Sequence, residues 1–190
     1  MIRGIAALAA FVALAVLVVL GLLDGFDRAV LGAVQAPHAT WLDVVASVLT
    51  IAGQSEVTGT IALGVAIVRL RARRADWWVP LLLIAVVVIE FLLKIVVVQP
   101  APPHELARSV HFLPFLESPT PYAFPSGHVA RVAFLVAALR WPASAAGIAV
   151  VLMAVTRIYL AEHWPSDVVG GWLLGFGVAG IATNVRVNRR

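Results

Sequence analysis

The sequence predicts an all-α protein, a bundle of six transmembrane helices that forms one domain over residues 1–190. Hydrophobic residues make up 62% of the chain and charged residues only 13%, a composition unlike that of soluble domains. Apolar runs of membrane-spanning length recur along the chain. A chain of 190 residues is long enough for one such bundle and too short for a second domain.

The predicted spans follow the apolar runs in order. They cover residues 2–23, 55–70, 77–98, 126–141, 143–161 and 166–185. The first run is longer than the apolar part of a signal peptide and has no convincing small-residue cleavage site at its end. We therefore interpret it as a retained helix. The second and fourth runs are short for a bilayer.

Two connecting segments have patterns of their own. Residues 40–53 carry apolar side chains at helical spacing and predict a short interfacial or packed helix rather than a seventh span. Residues 99–125 contain seven prolines, which exclude a long helix there. This second segment predicts an ordered, proline-rich loop that caps one end of the bundle.

The distribution of arginine predicts the orientation in the membrane. The strongest basic loop holds Arg69, Arg71, Arg73 and Arg74, and loops of this kind remain cytoplasmic. With six spans, Arg3, Arg140 and the C-terminal arginines fall on the same side. We expect a multi-pass plasma-membrane protein with both termini in the cytoplasm and the proline-rich loop outside the cell. Because the net charge of +4 lies in short clusters between apolar runs, it favours membrane lipids as partners and not nucleic acid.

The run Pro125-Ser126-Gly127-His128 stands at the start of the fourth apolar run. Proline and serine before such a run indicate a helix start, with Ser126 as the N-cap. A helix N-terminus offers unpaired N–H groups to phosphate, and Gly127 lets the backbone approach the anion closely. His128 would then lie in the first turn, where it could protonate a leaving oxygen. The alternative is a capped helix with an incidental histidine.

A second cluster surrounds the start of the last span. Asp167 follows His163 by four residues, so its carboxylate can orient the imidazole and leave the other ring nitrogen free to attack. Arg157 lies near the end of the preceding helix, and its planar guanidinium suits phosphate oxygens. The alternative is a structural ion pair between Arg157 and either Asp167 or Glu162.

Lys94 is the only lysine of the chain and closes the third span. Its ammonium could act as a point charge on phosphate, or it could pair with Glu90 one turn earlier. Ionisable groups beside hydrocarbon are costly, and together these residues indicate chemistry on phosphate at the outer ends of the spans. Cysteine is absent, so there is no thiolate nucleophile or ligand.

These motifs together resemble the three-part signature of the type-2 phosphatidic acid phosphatase superfamily. The three parts correspond here to Lys94 with Ala101-Pro102, to residues 125–128, and to Thr156-Arg157 with His163 and Asp167. The signature has arginine where this chain has Ala101, and serine where it has Thr156. The direct resemblance covers residues 94–167, and the six-span layout extends it over nearly the whole chain.

The resemblance implies a membrane lipid phosphatase that needs no metal ion or other cofactor. His163, oriented by Asp167, would attack phosphorus to give a phosphohistidine, and His128 would protonate the departing lipid oxygen and later help activate water. The phosphate would be held by Lys94, Ser126, Gly127 and Arg157. The substrate would be a lipid phosphate, either a polyprenyl diphosphate or a phosphatidate-type lipid.

Ala101 removes a cation that the signature supplies, and Arg131 is our candidate to replace it. Arg131 shares a helical face with His128, three residues on, but it could instead form a buried salt bridge with Glu56. Arg108, His104 and His111 are weaker candidates for the same role.

Two rival functions remain open at the level of sequence. A relative without catalytic activity that binds or moves phospholipid is compatible with the missing arginine, and the signature also occurs in vanadate-dependent haloperoxidases. The latter are larger soluble proteins, which this short apolar chain does not resemble. Metal-independent release of phosphate from lipid would separate the phosphatase from both. A final expectation is that Gly171 and Gly175 pack helices within the chain rather than form a dimer contact.

Overall fold

The structure is a computed structural model that describes residues 1–110, 112 and 122–185, and within these residues it is all-helical. The α-helices are α1 (Ile2–Val19), α2 (Asp24–Gln35), α3 (Thr40–Thr50), α4 (Ser55–Arg71), α5 (Leu83–Val96), α6 (Gly127–Ala138), α7 (Ala143–Tyr159) and α8 (Pro165–Val185). Short 3-10 turns cover Ile51–Gly53, Val79–Leu82 and His104–Leu106. His111, most of the second half of the proline-rich loop and the C-terminal arginines lie outside the described residues.

The predicted apolar runs all correspond to helices, although several helices are shorter. By length and composition, three of the described helical segments could cross a membrane: Ile2–Val19, Val79–Val96 and Pro165–Thr183. A fourth results if α3 with its 3-10 turn and α4, which meet at a bend of 40°, are counted as one span. Helices α6 and α7 have 12 and 17 residues, so α6 is only about 18 Å long.

Helix α6 lies at the centre of the bundle and is buried on nearly every side. Val129, Ala130 and Phe134 are inaccessible to solvent. The most extensive contact of α6 is with α8, and α6 also touches α4, α5 and α7. By contrast, α1, α4, α5 and α7 expose rows of large apolar side chains, which suits contact with lipid tails.

Two glycines explain how closely α6 and α8 approach each other. A Cβ atom at Gly171 would lie 2.3 Å from the carbonyl oxygen of Ser126, and one at Gly175 would lie 2.1 Å from that of Ala130. Any side chain at these positions would push the helices apart. The expectation that these glycines serve packing within the chain is confirmed.

The segment between the first two apolar runs is more helical than expected. Residues 40–53 form the expected helix α3, and residues 24–35, which lie outside the predicted spans, form helix α2. Asp24 and Asp27 in its first turn are a typical helix-start signal. Because α2 packs against α7 and α8, it lies beside the end of the bundle that carries the candidate site.

The basic turn lies at the opposite end of α4 and α5 from the proline-rich loop. There Asp76 pairs with Arg69 at 3.2 Å and with Arg74 at 3.0 Å. The strongest cluster of arginines and the motif residues are therefore separated by the length of these two helices, as the predicted topology requires.

Candidate functional site

One cavity brings the motif residues together at a common end of the bundle. Its volume is about 1110 Å³, and it opens where α5 and α7 end and where α4 and α6 begin. Among the residues that line it are Glu90, Lys94, Gly127, His128, Arg131, Arg157 and His163. Residues more than 60 positions apart in the sequence thus face a single space. Ser126 and Asp167 do not line the cavity but lie buried behind it.

The N-termini of α6 and α8 are joined through their backbones. The Ser126 N–H donates to the Asp167 carbonyl at 2.9 Å, which fixes the two helix starts relative to each other. Ser126 takes the predicted N-cap position, but its side chain makes no capping hydrogen bond. Among the described residues its buried hydroxyl has no hydrogen-bond partner. Leaving such a group unpaired costs about 1–3 kcal/mol, so a ligand that reached it would be favoured.

The anion position at the start of α6 is taken by a side chain of the protein itself. A Cβ atom at Gly127 would lie 1.9 Å from the Glu90 Oε1 atom, so a side chain there would displace the Glu90 carboxylate. The same carboxylate lies 3.4 Å from the Lys94 ammonium and 2.8 Å from Arg131 Nη1. Glu90 therefore neutralises two cations of the site. The sequence showed its i,i+4 pairing with Lys94 but not its contact with α6.

Arg131 connects several parts of the site. Its Nε donates to the Gly53 carbonyl at 3.0 Å, and its Nη2 lies 3.5 Å from His128 Nδ1. The sequence-based alternative named Glu56 as its ion-pair partner. The structure shows a direct ion pair with Glu90, which α5 presents to the first turns of α6, and the Glu56 charge also attracts Arg131. Arg131 also lines the cavity, so both of its expected roles remain compatible with its position.

The environment of His128 indicates its tautomer. A guanidinium can only donate, so the Nδ1 atom that faces Arg131 is the acceptor, and the neutral ring carries its proton on Nε2. Among the described residues this buried Nε2 has no hydrogen-bond partner. His128 thus has its Nε2–H available to donate a hydrogen bond beside a cavity lined by cations.

His163 and Asp167 form the contact that their spacing predicts. His163 Nδ1 lies 3.4 Å from Asp167 Oδ2, and the same oxygen accepts the Trp164 backbone N–H at 2.8 Å. Burial lowers the pKa of His163 well below its usual value, and the charges of Arg157, Lys94 and Arg131 lower it further. A hydrogen bond with the Ala123 backbone raises the pKa of His163 but does not reverse this. The imidazole is therefore neutral at pH 7, as a nucleophile must be.

Arg157 reaches the cavity from the end of α7. Its Nη1 donates to Thr50 Oγ1 at 3.0 Å, and its Nη2 lies 3.4 Å from Glu162 Oε2. Of the two partners proposed from sequence, the structure shows Glu162, which in turn accepts a hydrogen bond from Ser109. Sequence reasoning missed Thr50, because no local pattern relates it to a residue 107 positions away.

The remaining loop candidates contribute less. Ala101, which stands where the signature has arginine, lines the cavity, and His104 lines it as well. Arg108 instead lies 5.2 Å from the ring centre of Tyr159 and bonds the Pro37 carbonyl. Within residues 1–110, 112 and 122–185, no group of three or more His, Cys, Asp or Glu side chains could hold a metal ion.

An apolar helical bundle with two histidines, a buried aspartate and three cations at one end is typical of a membrane protein whose cavity suits an anion. A sequence model of the PAP2 superfamily matches residues 75–190, more than half of the chain. The protein therefore belongs to the PAP2 superfamily, which contains membrane lipid phosphatases. The resemblance drawn from its motifs is confirmed.

Two relatives illustrate this membership. An undecaprenyl-diphosphatase from Sulfolobus acidocaldarius is 35% identical over 72 residues, and the match covers 35% of this chain and 35% of that protein. The chain thus matches about a third of that relative's length. A crystal structure described as the first transmembrane PAP2 type phosphatidylglycerolphosphate phosphatase, from Bacillus subtilis, superposes with a TM-score of 0.81. That superposition covers 100% of this chain and 98% of the other, and at 20% identity it shows a shared fold.

Proposed function

We propose that this protein is an integral membrane phosphatase that hydrolyses a lipid phosphomonoester or diphosphate through a phosphohistidine. The observation that carries the proposal is the convergence of His128 and His163 with three cations on one cavity at the ends of apolar helices. The ends of membrane-spanning helices lie at the depth of the lipid headgroups, so a headgroup can reach the cavity while the lipid tails contact the exposed apolar faces of the bundle.

The first chemical step is attack of the neutral His163 on phosphorus. Asp167 holds Nδ1–H, and the free Nε2 lone pair forms the N–P bond while the bond from phosphorus to the lipid oxygen breaks. His128, which must be the imidazolium in the complex with the anionic substrate, gives its Nε2 proton to that oxygen, so the lipid leaves as an alcohol or as a lipid monophosphate. The neutral His128 ring then carries on Nε2 the lone pair that the second step needs.

The second step is hydrolysis of the phosphohistidine. His128 Nε2 takes a proton from water as the water oxygen attacks phosphorus, and the N–P bond breaks to release inorganic phosphate. Both histidines return to their starting protonation states, so atoms and charges balance over the cycle. Lys94, Arg131 and Arg157, with the Ser126 hydroxyl and the Gly127 N–H, stabilise the negative charge on the phosphate oxygens.

We propose that these cations take the place of a divalent metal ion and that Arg131 supplies the charge missing at Ala101.

The test is phosphate release by purified protein from a panel of polyprenyl diphosphate, phosphatidate and phosphatidylglycerolphosphate, with and without chelator. We expect turnover of at least one lipid that chelator does not reduce. The name of the Sulfolobus acidocaldarius relative favours the polyprenyl diphosphate. Loss of activity in chelator that magnesium restores would contradict the metal-independent mechanism.

We further propose a single domain with six spans in the plasma membrane, both termini in the cytoplasm and the site on the outer face. Single cysteines at Ala72 and Ala107, both exposed, test this because the chain has no cysteine of its own. An impermeant maleimide should label position 107 in intact cells and position 72 only after the cells are opened. The reverse pattern would refute the orientation.

A further inference from the structure

A carboxylate outside the cavity is buried as completely as the proposed catalytic groups. Asp27 lies in the first turn of α2 and is only 2% exposed. Nothing in the proposed reaction uses it. A buried carboxylate is costly unless it is well hydrogen-bonded, so its contacts indicate what it does.

Asp27 caps the start of α8 from another helix. Its Oδ1 accepts the Ser166 backbone N–H at 2.9 Å, and its Oδ2 accepts the Ser166 hydroxyl at 2.6 Å. The Gln99 amide adds contacts of 3.2 Å to the Ser166 hydroxyl and 3.5 Å to Asp27 Oδ2. All of these groups donate to the carboxylate or to the hydroxyl that it holds. An N–H of the first turn of α8 is thus satisfied by a residue 139 positions earlier.

This cluster of Asp27, Ser166 and Gln99 contacts both structures that orient His163. Ser166 directly precedes Asp167, whose Oδ2 faces His163 Nδ1. On the other side, the Gln99 carbonyl accepts the Ala123 backbone N–H at 2.9 Å, and Ala123 is the residue whose backbone bonds the His163 imidazole. A shift of Ser166 would therefore reach His163 through Asp167, and a shift of Gln99 would reach it through Ala123.

We infer that Asp27 is a positioning residue for His163, acting through Ser166 and Gln99 on the turn that carries Asp167. The inference rests on the proposed function insofar as His163 is the nucleophile. Misplacement of a reacting group by about 1 Å can cost about 100-fold in rate, so a residue that never touches substrate can still matter for turnover.

The first test compares turnover of Asp27→Ala, Asp27→Asn and Ser166→Ala with that of Asp24→Asn, an exposed carboxylate of the same helix turn. We expect kcat to fall by about 10- to 100-fold in Asp27→Ala, with KM within about twofold of wild type. Asp27→Asn keeps an acceptor for the Ser166 N–H, so it should retain more activity, and Asp24→Asn should match wild type. Because Asp27 acts through Ser166, the double variant Asp27→Ala/Ser166→Ala should lose no more than the worse single variant.

A second readout needs no turnover. In protein labelled with 15N-histidine, the spectrum of His163, assigned by its absence in His163→Ala, should show one fixed tautomer in wild type. Asp27→Ala should convert it to a mixture at temperatures well below the melting temperature of the variant. Any of three results would overturn the inference. The losses of turnover could multiply in the double variant, Asp27→Ala could raise KM without lowering kcat, or His163 could keep its single tautomer in Asp27→Ala. A wild type that releases no phosphate from any lipid would instead refute the proposed function, and the tautomer test would still decide the role of Asp27.

Discussion

Helices α6 and α8 differ sharply from α5 in how they hold the groups that face the cavity. The α6–α8 contact is so close that carbonyl oxygens occupy the space where side chains at Gly171 and Gly175 would begin. Helix α5 buries only Leu83, Val86 and Glu90 and exposes most of its apolar surface. The two histidines and Asp167 lie on or beside the tight pair, whereas Lys94 comes from the loosely covered helix.

This difference corresponds to two tasks in the proposed reaction. In-line attack on phosphorus requires the nucleophile and the proton donor to stay within a few tenths of an ångström of their positions, which a close-packed helix pair provides. A cation that neutralises phosphate tolerates more movement, because charge attraction depends weakly on orientation. Helix α5 can therefore face lipid and still contribute Lys94.

The largest expected effect is on the proposed nucleophile beside the tight pair. His163→Ala should reduce turnover by more than about 100-fold, because the proposed covalent intermediate forms on this residue. The melting temperature should change little, and His38→Ala, an exposed histidine outside the cavity, is the matched control. Phosphate release by His163→Ala above a tenth of the wild-type rate would exclude this residue as nucleophile. Acid-labile, base-stable phosphate trapped on wild type would support it.

The next test asks whether Arg131 serves chemistry or only the ion pair with Glu90. Arg131→Gln leaves the buried Glu90 with one cation fewer, and breaking such a pair costs about 3–5 kcal/mol. We expect both turnover and melting temperature to fall. The double variant Arg131→Gln/Glu90→Gln removes both members of this ion pair but leaves Lys94 without its Glu90 partner, so the melting temperature should recover only in part and the turnover should not recover.

Recovery of turnover in that double variant would reduce Arg131 to a structural role. The complementary variant, Ala101→Arg in the Arg131→Gln background, places a cation at the mouth of the same cavity. Partial recovery of phosphate release there would show that the two cations serve one anion. No recovery would show that position 101 cannot reach the phosphate in this chain.

A smaller effect is expected from packing alone. Gly175→Ala places a Cβ atom 2.1 Å from the Ala130 carbonyl and should destabilise the bundle by about 1–3 kcal/mol. Gly64→Ala on α4 meets no atom within 4 Å and should be neutral or slightly stabilising. The measurement is the melting temperature of each variant in detergent. Equal melting temperatures for Gly175→Ala and Gly64→Ala would contradict the distinction between the tight pair and the outer helices.

The sequence predicted what local spacing controls. The helix that begins after Ser126, the contact between His163 and Asp167 and the packing glycines all depend on residues within one or two turns of each other. Glu90 against Gly127, Thr50 on Arg157 and Asp27 on Ser166 were not predicted. Each joins residues 37 or more positions apart, and their pairing depends on how the helices cross, which single-sequence periodicity does not encode.

The smallest effect is a shift in the pH dependence of kcat/KM, which reports groups of the free enzyme. Because the pKa of His163 is lowered well below its usual value, the imidazole stays neutral and nucleophilic below pH 6.5, and activity should fall only at lower pH. The Lys94 charge contributes to that lowering, so Lys94→Gln should raise the pKa of His163 and move the acid limb to higher pH.

The control for this test is Arg28→Gln, which removes an exposed charge on α2. The substrate's own ionisation is common to all variants, so a difference in the limb between them reports the enzyme. If the acid limb is unchanged in Lys94→Gln, the charge of Lys94 on the loosely packed helix does not affect the pKa of His163, and the two regions are not coupled by charge.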